Sequence, residues 1–408
     1  MFDAYRGLNR EAKYLIYSGV LPAVAYGMFY TDISYFLTSV QGLSMDFMGF
    51  IVTVMGVSTF VASVPLGIAA DKYGRKNMLI LGTVIAGIII AAFALTTNTT
   101  LLMIAAIFEG VSEAAFSASS GAWLAEKVDC SQRNGAFALF GFAQSMAYGV
   151  GGVILFGVGS FGMLGLSDAA GHAFLYVLLG IVSLLSVLFL VKIKEAKRTN
   201  CPKPQNRAEP TPKESRNILI RYVLSSAIIA FGAGLVVPLM AKWLSLQYGI
   251  SDAVSGPILG IASFAIGLAT LAAPFFAKKL GTVRAIVVLQ ATSTIFMFAT
   301  PLFPNYLAAS SVYTLRAFLM NMASPLSQSM IMGLVAENQR GAASGVNAAL
   351  WRLPNAISSY IGAIIMGLGQ SFLSLPFFMA GSFYMLSIIL FWWFFRKTKM
   401  PEELRSSR

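Results

Sequence analysis

The sequence predicts an all-α integral membrane protein with twelve transmembrane helices in two parallel six-helix pseudo-repeats. Three observations carry this fold class. First, the 408-residue chain is 57% hydrophobic and only 11% charged, whereas a soluble protein carries about 25% charged residues. Second, uncharged runs of roughly 20 residues recur throughout, each long enough to cross a ~30 Å hydrocarbon core at 1.5 Å per helical residue. Third, a shift of 207 residues brings the two halves into register: Gly49 falls on Gly256, Lys72 on Lys279, Gly74 on Gly281, and "QR" at 132–133 on "QR" at 339–340. Six spans return the chain to its starting side, so the duplicated halves are expected to be parallel.

Taken in order, the spans are read at 14–40, 46–69, 78–96, 101–124, 135–160 and 173–192, then 218–246, 253–276, 284–301, 305–333, 342–368 and 372–395. The N-terminal run is short and broken by Ser18, Gly19 and Pro22, so it reads as an uncleaved first span rather than a secretory leader. The segment "KIKEAKRTNCPKPQNRAEPTPKESRN" is charged, proline-rich and aperiodic. It reads as a solvated linker over 193–216 between bundles at 1–192 and 217–408.

The net charge of +12 does not indicate nucleic acid, because its placement follows topology. Apart from Lys242, Arg316 and Arg352, every Lys and Arg lies in or beside an even-numbered loop or a terminus. That asymmetry predicts two cytoplasmic termini in a plasma membrane, with contacts to anionic lipid heads. Cys130 and Cys201 fall in segments read as cytoplasmic, where thiols stay reduced. The single histidine, His172, is expected at the surface near the outer end of span six. Neither a metal-ligand spacing nor a cofactor motif is apparent. An enzyme would need a nucleophile with its base or a metal cluster, and an ATP-driven pump would need a phosphate-binding loop; the sequence offers neither.

Between spans two and three stands "GIAADKYGRK", Gly67 to Lys76. It resembles the signature loop of the major facilitator superfamily, G-x-x-x-D-x-x-G-R-K, at Gly67, Asp71, Gly74, Arg75 and Lys76. Gly67 would allow close helix approach and Gly74 a tight turn; Asp71 would accept from helix N-termini or a basic partner such as Arg133. The second copy, "FFAKKLGTVR", has Lys278 in place of the acid and Thr282 in place of the arginine. The resemblance covers the whole chain. It implies a monomeric secondary transporter working by alternating access, with the loop controlling conformation and spans one, four, seven and ten lining a cavity. The pattern lies nearest the drug:proton antiporter branch. It departs from that branch at Ala106, where an arginine is common, and at "AYGVGG" (147–152), where G-P-x-x-G-G is expected.

Charges inside the spans supply the candidate site. Glu109 and Glu113 lie ~12 and ~18 Å into span four and share a face at i, i+4. The 207-residue shift sets Glu109 on Arg316. Arg352 lies ~15 Å into span eleven, and Asp32 in the outer half of span one. None can face lipid cheaply. They read either as buried ion pairs, for instance Glu109 with Arg316, or as a proton and substrate site; Glu113 with Glu109 could also hold a cation. Asp32, Glu113 and Glu109 are the proton-coupling candidates. Phe29, Tyr30, Arg316, Asn321 and Arg352 are the substrate-binding candidates, with Phe29 and Tyr30 expected in a cavity wall. Lys242 is expected to snorkel to the outer interface. The function expected is proton-coupled efflux of a small amphipathic compound. The alternative is a proton-coupled permease for an anionic metabolite, sugar or other nutrient.

Overall fold

A computed structural model describes residues 8–128, 133–163, 165–194, 212–334 and 340–398. Cys130 and Cys201 lie outside the described residues, as do the side chains of Asp71 and Arg133. Regular structure among the described residues is entirely helical: α1 (Arg10–Ser18), α2 (Val20–Tyr35), α3 (Met45–Tyr73), α4 (Arg75–Leu95), α5 (Thr99–Lys127), α6 (Arg133–Ile154), α7 (Phe156–Met163), α8 (Asp168–Leu185), α9 (Val187–Val191), α10 (Pro212–Gly234), α11 (Met240–Tyr248), α12 (Asp252–Leu280), α13 (Thr282–Ala299), α14 (Tyr306–Leu334), α15 (Arg340–Gly367) and α16 (Leu375–Phe395). Nine spans among them are long and apolar enough to cross a membrane. The remaining predicted spans, one, ten and eleven, are also helical but carry more polar residues.

The duplication extends to the helix boundaries. α3 and α12 start 207 residues apart, as do α5 and α14, and each of the four is 29 residues long. Gly74 (φ 97°) and Gly281 (φ 80°) end the paired helices α3 and α12 in a backbone region open to glycine. Gly27 of α2 lies against Tyr148 of α6, and Gly234 of α10 against Asn355 of α15. These pairs are also 207 residues apart, so the register reaches the first span of each half. In a membrane, where lipid is as apolar as the side chains, such small-residue contacts hold helices together by close packing.

Span one breaks at Gly19 and ends in a π-helical turn over Phe36–Val40. Span seven breaks before Pro238, where a 3-10 turn (Val237–Leu239) joins α10 to α11, because proline cannot continue the α-helical hydrogen-bond ladder. Pro325 and Pro354 instead lie inside continuous helices. α10 begins at Pro212, inside the segment read as linker.

The chain forms two compact units: Met1–Lys203 with Pro238–Gly267, and Pro204–Val237 with Leu268–Arg408. In the first, Leu15, Ile16, Leu79, Trp123 and Leu190 form a buried cluster. In the second, Ile286, Leu289, Met322, Met330 and Phe391 do the same.

Candidate functional site

The first unit holds a cavity of about 320 Å³ walled by α2, α5, α6 and α12. Its polar lining comes from Tyr26, Tyr30, Glu113, Gln144, Tyr148 and Ser263. Tyr26 and Tyr30 are one helical turn apart, and their rings stack at 5.7 Å between centroids. Tyr26 bonds Ser112 of α5 at 2.8 Å. The Tyr30 hydroxyl donates to Glu109 Oε1 and to Glu113 Oε2, the latter at 3.1 Å. Glu109 is fully buried and Glu113 half-buried at the cavity. The i, i+4 spacing seen in the sequence thus brings two carboxylates to one phenol. That phenol has a single hydrogen, so a further proton on either acid would complete the hydrogen bonding within the trio. Gln144 Nε2, at the same wall, is buried with no hydrogen-bond partner among the described residues.

Phe29 does not face this cavity, contrary to expectation. It is 0% exposed and packs edge-on against Tyr30, Phe93 and Tyr176. It faces away because it precedes Tyr30 by one residue, about 100° around the helix.

Asp32 belongs to a second buried cluster. Its Oδ2 accepts from the Tyr176 hydroxyl at 3.0 Å and lies 3.7 Å from His172 Nε2. His172 Nε2 is 2.7 Å from Asp252 Oδ2, and Nδ1 is 2.8 Å from the Asp168 carbonyl. His172 is 0% exposed, which overturns its expected surface position. Phe36 stacks on its ring at 5.3 Å and covers it. Lys242 also departs from expectation: it is buried and donates to Ser39 at 2.8 Å rather than snorkelling. The reason is local, since the break at Pro238 gives α11 its own start next to α2.

In the second unit Arg316 is buried on α14, donating to the Tyr384 hydroxyl and lying over the rings of Tyr313 and Tyr384 at 5.6 and 5.3 Å. Within its own unit, each of these two charges has tyrosine partners. Asn321 bonds the carbonyl of Ala317 one turn back at 2.9 Å. Arg352 is half-buried on α15.

At the signature loop, Arg75 pairs with Glu126 of α5 at 3.0 Å. Lys76 donates to the carbonyls of Val191 and Ile193 at 2.7 and 2.8 Å. The start of α4 is thereby tied to the ends of α5 and α9. Among the described residues, nothing lies within 4 Å of where a Cβ on Gly67 would stand.

Sequence reasoning missed Tyr176, Asp252, Glu126 and the role of His172. Two signals were available: His172 and Tyr176 lie one turn apart, and Asp252 stands where α12 begins.

Comparison with known proteins agrees with this architecture. The sequence pattern of the Major Facilitator Superfamily matches residues 15–224 and 222–408. Multidrug resistance protein 2 of Bacillus subtilis (strain 168) is 23% identical over 348 residues, 84% of each chain. Among solved structures, a bacterial homolog of the human lysosomal transporter Spinster superimposes with a TM-score of 0.75 at 14% identity, over 94% of this chain and 96% of that one. A D-xylose-proton symporter superimposes with a TM-score of 0.74 at 15% identity, over 96% and 98%. The two halves matched by the pattern, the repeat register and the signature loop converge: this chain is a multi-pass membrane transporter and belongs to the Major Facilitator Superfamily.

Proposed function

We propose that the chain exports small amphipathic compounds in exchange for protons, with Glu113 as the proton carrier and Glu109 and Tyr30 as its partners. The carrying observation is the single phenol shared by two carboxylates in the wall of the aromatic cavity. A carboxylate at membrane depth is expensive to keep charged, so its protonation and substrate occupancy at one wall are natural competitors. Stacked Tyr26 and Tyr30 supply flat apolar surface for an amphipathic or aromatic solute, and Gln144 supplies an unused donor. The name of the Bacillus subtilis relative favours export of drug-like compounds over uptake.

One observation favours uptake of an anion instead. Arg316 is buried, and its Nε has no hydrogen-bond partner among the described residues, leaving a guanidinium able to hold a carboxylate or phosphate.

Both readings meet one assay. Vesicles carrying the reconstituted protein, an acid interior and a pH-sensitive dye are challenged with lipophilic cations, organic anions and sugars. Export by exchange predicts that a lipophilic cation dissipates the gradient with wild type, while Glu113→Gln performs no better than empty vesicles. Equal dissipation by Glu113→Gln would remove Glu113 from the coupling step. A response to anions alone would favour the Arg316 reading.

A further inference from the structure

Asp32, His172 and Asp252 do not line the cavity of that cycle, and their own chemistry suggests a second role. Asp32 of α2, His172 of α8 and Asp252 of α12 each present one ligand atom, all within 4.8 Å of one another and all buried. The Asp168 carbonyl, 2.8 Å from His172 Nδ1, can only accept, so Nδ1 carries the hydrogen. The 2.7 Å contact of Nε2 with Asp252 Oδ2 is a hydrogen bond that holds one proton; a cation that displaces this proton meets the Nε2 lone pair and two carboxylate oxygens, at 2.7 and 3.7 Å from it. Three acceptors then converge on one point. Asp32 Oδ1 adds a fourth: it is fully buried and has no hydrogen-bond partner among the described residues.

We propose that Asp32, His172 and Asp252 form a binding site for a divalent cation of the Zn²⁺ class. Zn²⁺ takes imidazole nitrogen and carboxylate oxygen at about 2.0–2.2 Å, which sets tetrahedral ligands about 3.3 Å apart. The two distances from Nε2 bracket that spacing, so sub-ångström side-chain adjustment admits the ion. A dication also cancels the two buried carboxylate charges that a neutral histidine leaves uncompensated. The surroundings are those of a supported metal site: a carbonyl fixes the histidine tautomer, and Tyr176 holds Asp32 Oδ2 at 3.0 Å. With one nitrogen and oxygens only, the set favours Zn²⁺ over a soft thiophilic ion, and three ligands are too few for a Ca²⁺ cage. Because the ligands come from three helices, the ion would tie the first turn of α12 to α2 and α8.

The test uses the purified full-length chain in detergent, stripped of metal and free of any affinity tag. Titration with ZnCl₂ is expected to show saturable binding of one ion per chain and a raised Tm, with MgCl₂ giving neither. CoCl₂ should produce the intense visible bands of a four-coordinate nitrogen and oxygen site. H172Q and D252N, each accepted only if monodisperse, are expected to weaken Zn²⁺ binding by about 100-fold or more. Absence of saturable Zn²⁺ binding to wild type would overturn the proposal, as would unchanged affinity in both variants. The faint spectrum of a six-coordinate surface cobalt site would overturn it without any variant, so a misfolded mutant leaves the question decidable.

Discussion

Glu109 and Arg316 stand at matching positions of two helices of identical length, and the two repeats treat them in opposite ways. Glu109 shares a phenol with Glu113 beside an open cavity. Arg316 is enclosed between the rings of Tyr313 and Tyr384. Duplication therefore conserved the frame and left the charged centres free to diverge. A frame position should fail alike in both repeats, whereas a centre should fail in its own way.

The largest effect should come from the frame. A Cβ on Gly27 would lie 2.1 Å from the Tyr148 carbonyl oxygen, and one on Gly234 would lie 2.0 Å from that of Asn355. Both obstacles are backbone, which yields poorly. Gly27→Val and Gly234→Val should each cost about 3 kcal/mol or more and abolish the monodisperse peak on size exclusion. Gly67→Ala, which meets nothing within 4 Å among the described residues, should accumulate as well as wild type. Survival of one valine variant but not the other would show that the two repeats do not share this contact.

The charged centre of the second repeat should give an intermediate effect. Arg316→Met removes a buried guanidinium whose partners among the described residues are tyrosines. Replacing buried ionic groups with well-packed apolar ones is often neutral or stabilising by about 1–4 kcal/mol. The variant should therefore melt at or above the wild-type Tm. A fall of several degrees would make Arg316 a structural brace between α14 and α16 and weaken the anion reading.

These contrasts mark what the sequence could and could not reveal. The helices, the 207-residue register and the shared face of Glu109 and Glu113 are legible because periodicity and spacing are local properties. The turn at Gly74 is legible for the same reason. The partners of His172 are not, because Asp32 and Asp252 lie 140 and 80 residues away and only packing brings them together. Phe29 and Tyr30 look equivalent in the string, but one residue of helical rotation sends one into the core and the other to the cavity. Of the rings around Arg316, Tyr313 is legible at one turn's spacing on the same helix, whereas Tyr384, 68 residues away on α16, is not.

The smallest effect lies at the edge of the frame, where the repeats solve one contact by different means. In the first, Lys127 is nearly buried and pairs with Glu11 at 2.6 Å. The register sets Ile218 and Leu334 at these two positions, and both pack on the second unit's apolar core. The hydrogen bond from Lys127 holds the Glu11 carboxyl below its usual value of 4.5. A carboxyl lowered by folding stabilises the protein fully above its unfolded pKa and loses that contribution as pH falls through the folded value. The pair should therefore support the first unit at neutral pH and lose that support progressively as pH falls below the usual value of 4.5 and through the lowered folded one. Glu11 is 37% exposed, so the contribution should stay under about 1 kcal/mol and shrink with salt. Glu11→Gln should lower the Tm slightly at pH 7 and leave it unchanged at the acid end. Ile218→Val, which trims an apolar contact, should lower the Tm equally at both ends. A pH-independent loss in Glu11→Gln would mean that Lys127 is held by its other contacts, the Lys194 carbonyl and the Trp123 ring, and that this edge does not depend on the charge of Glu11.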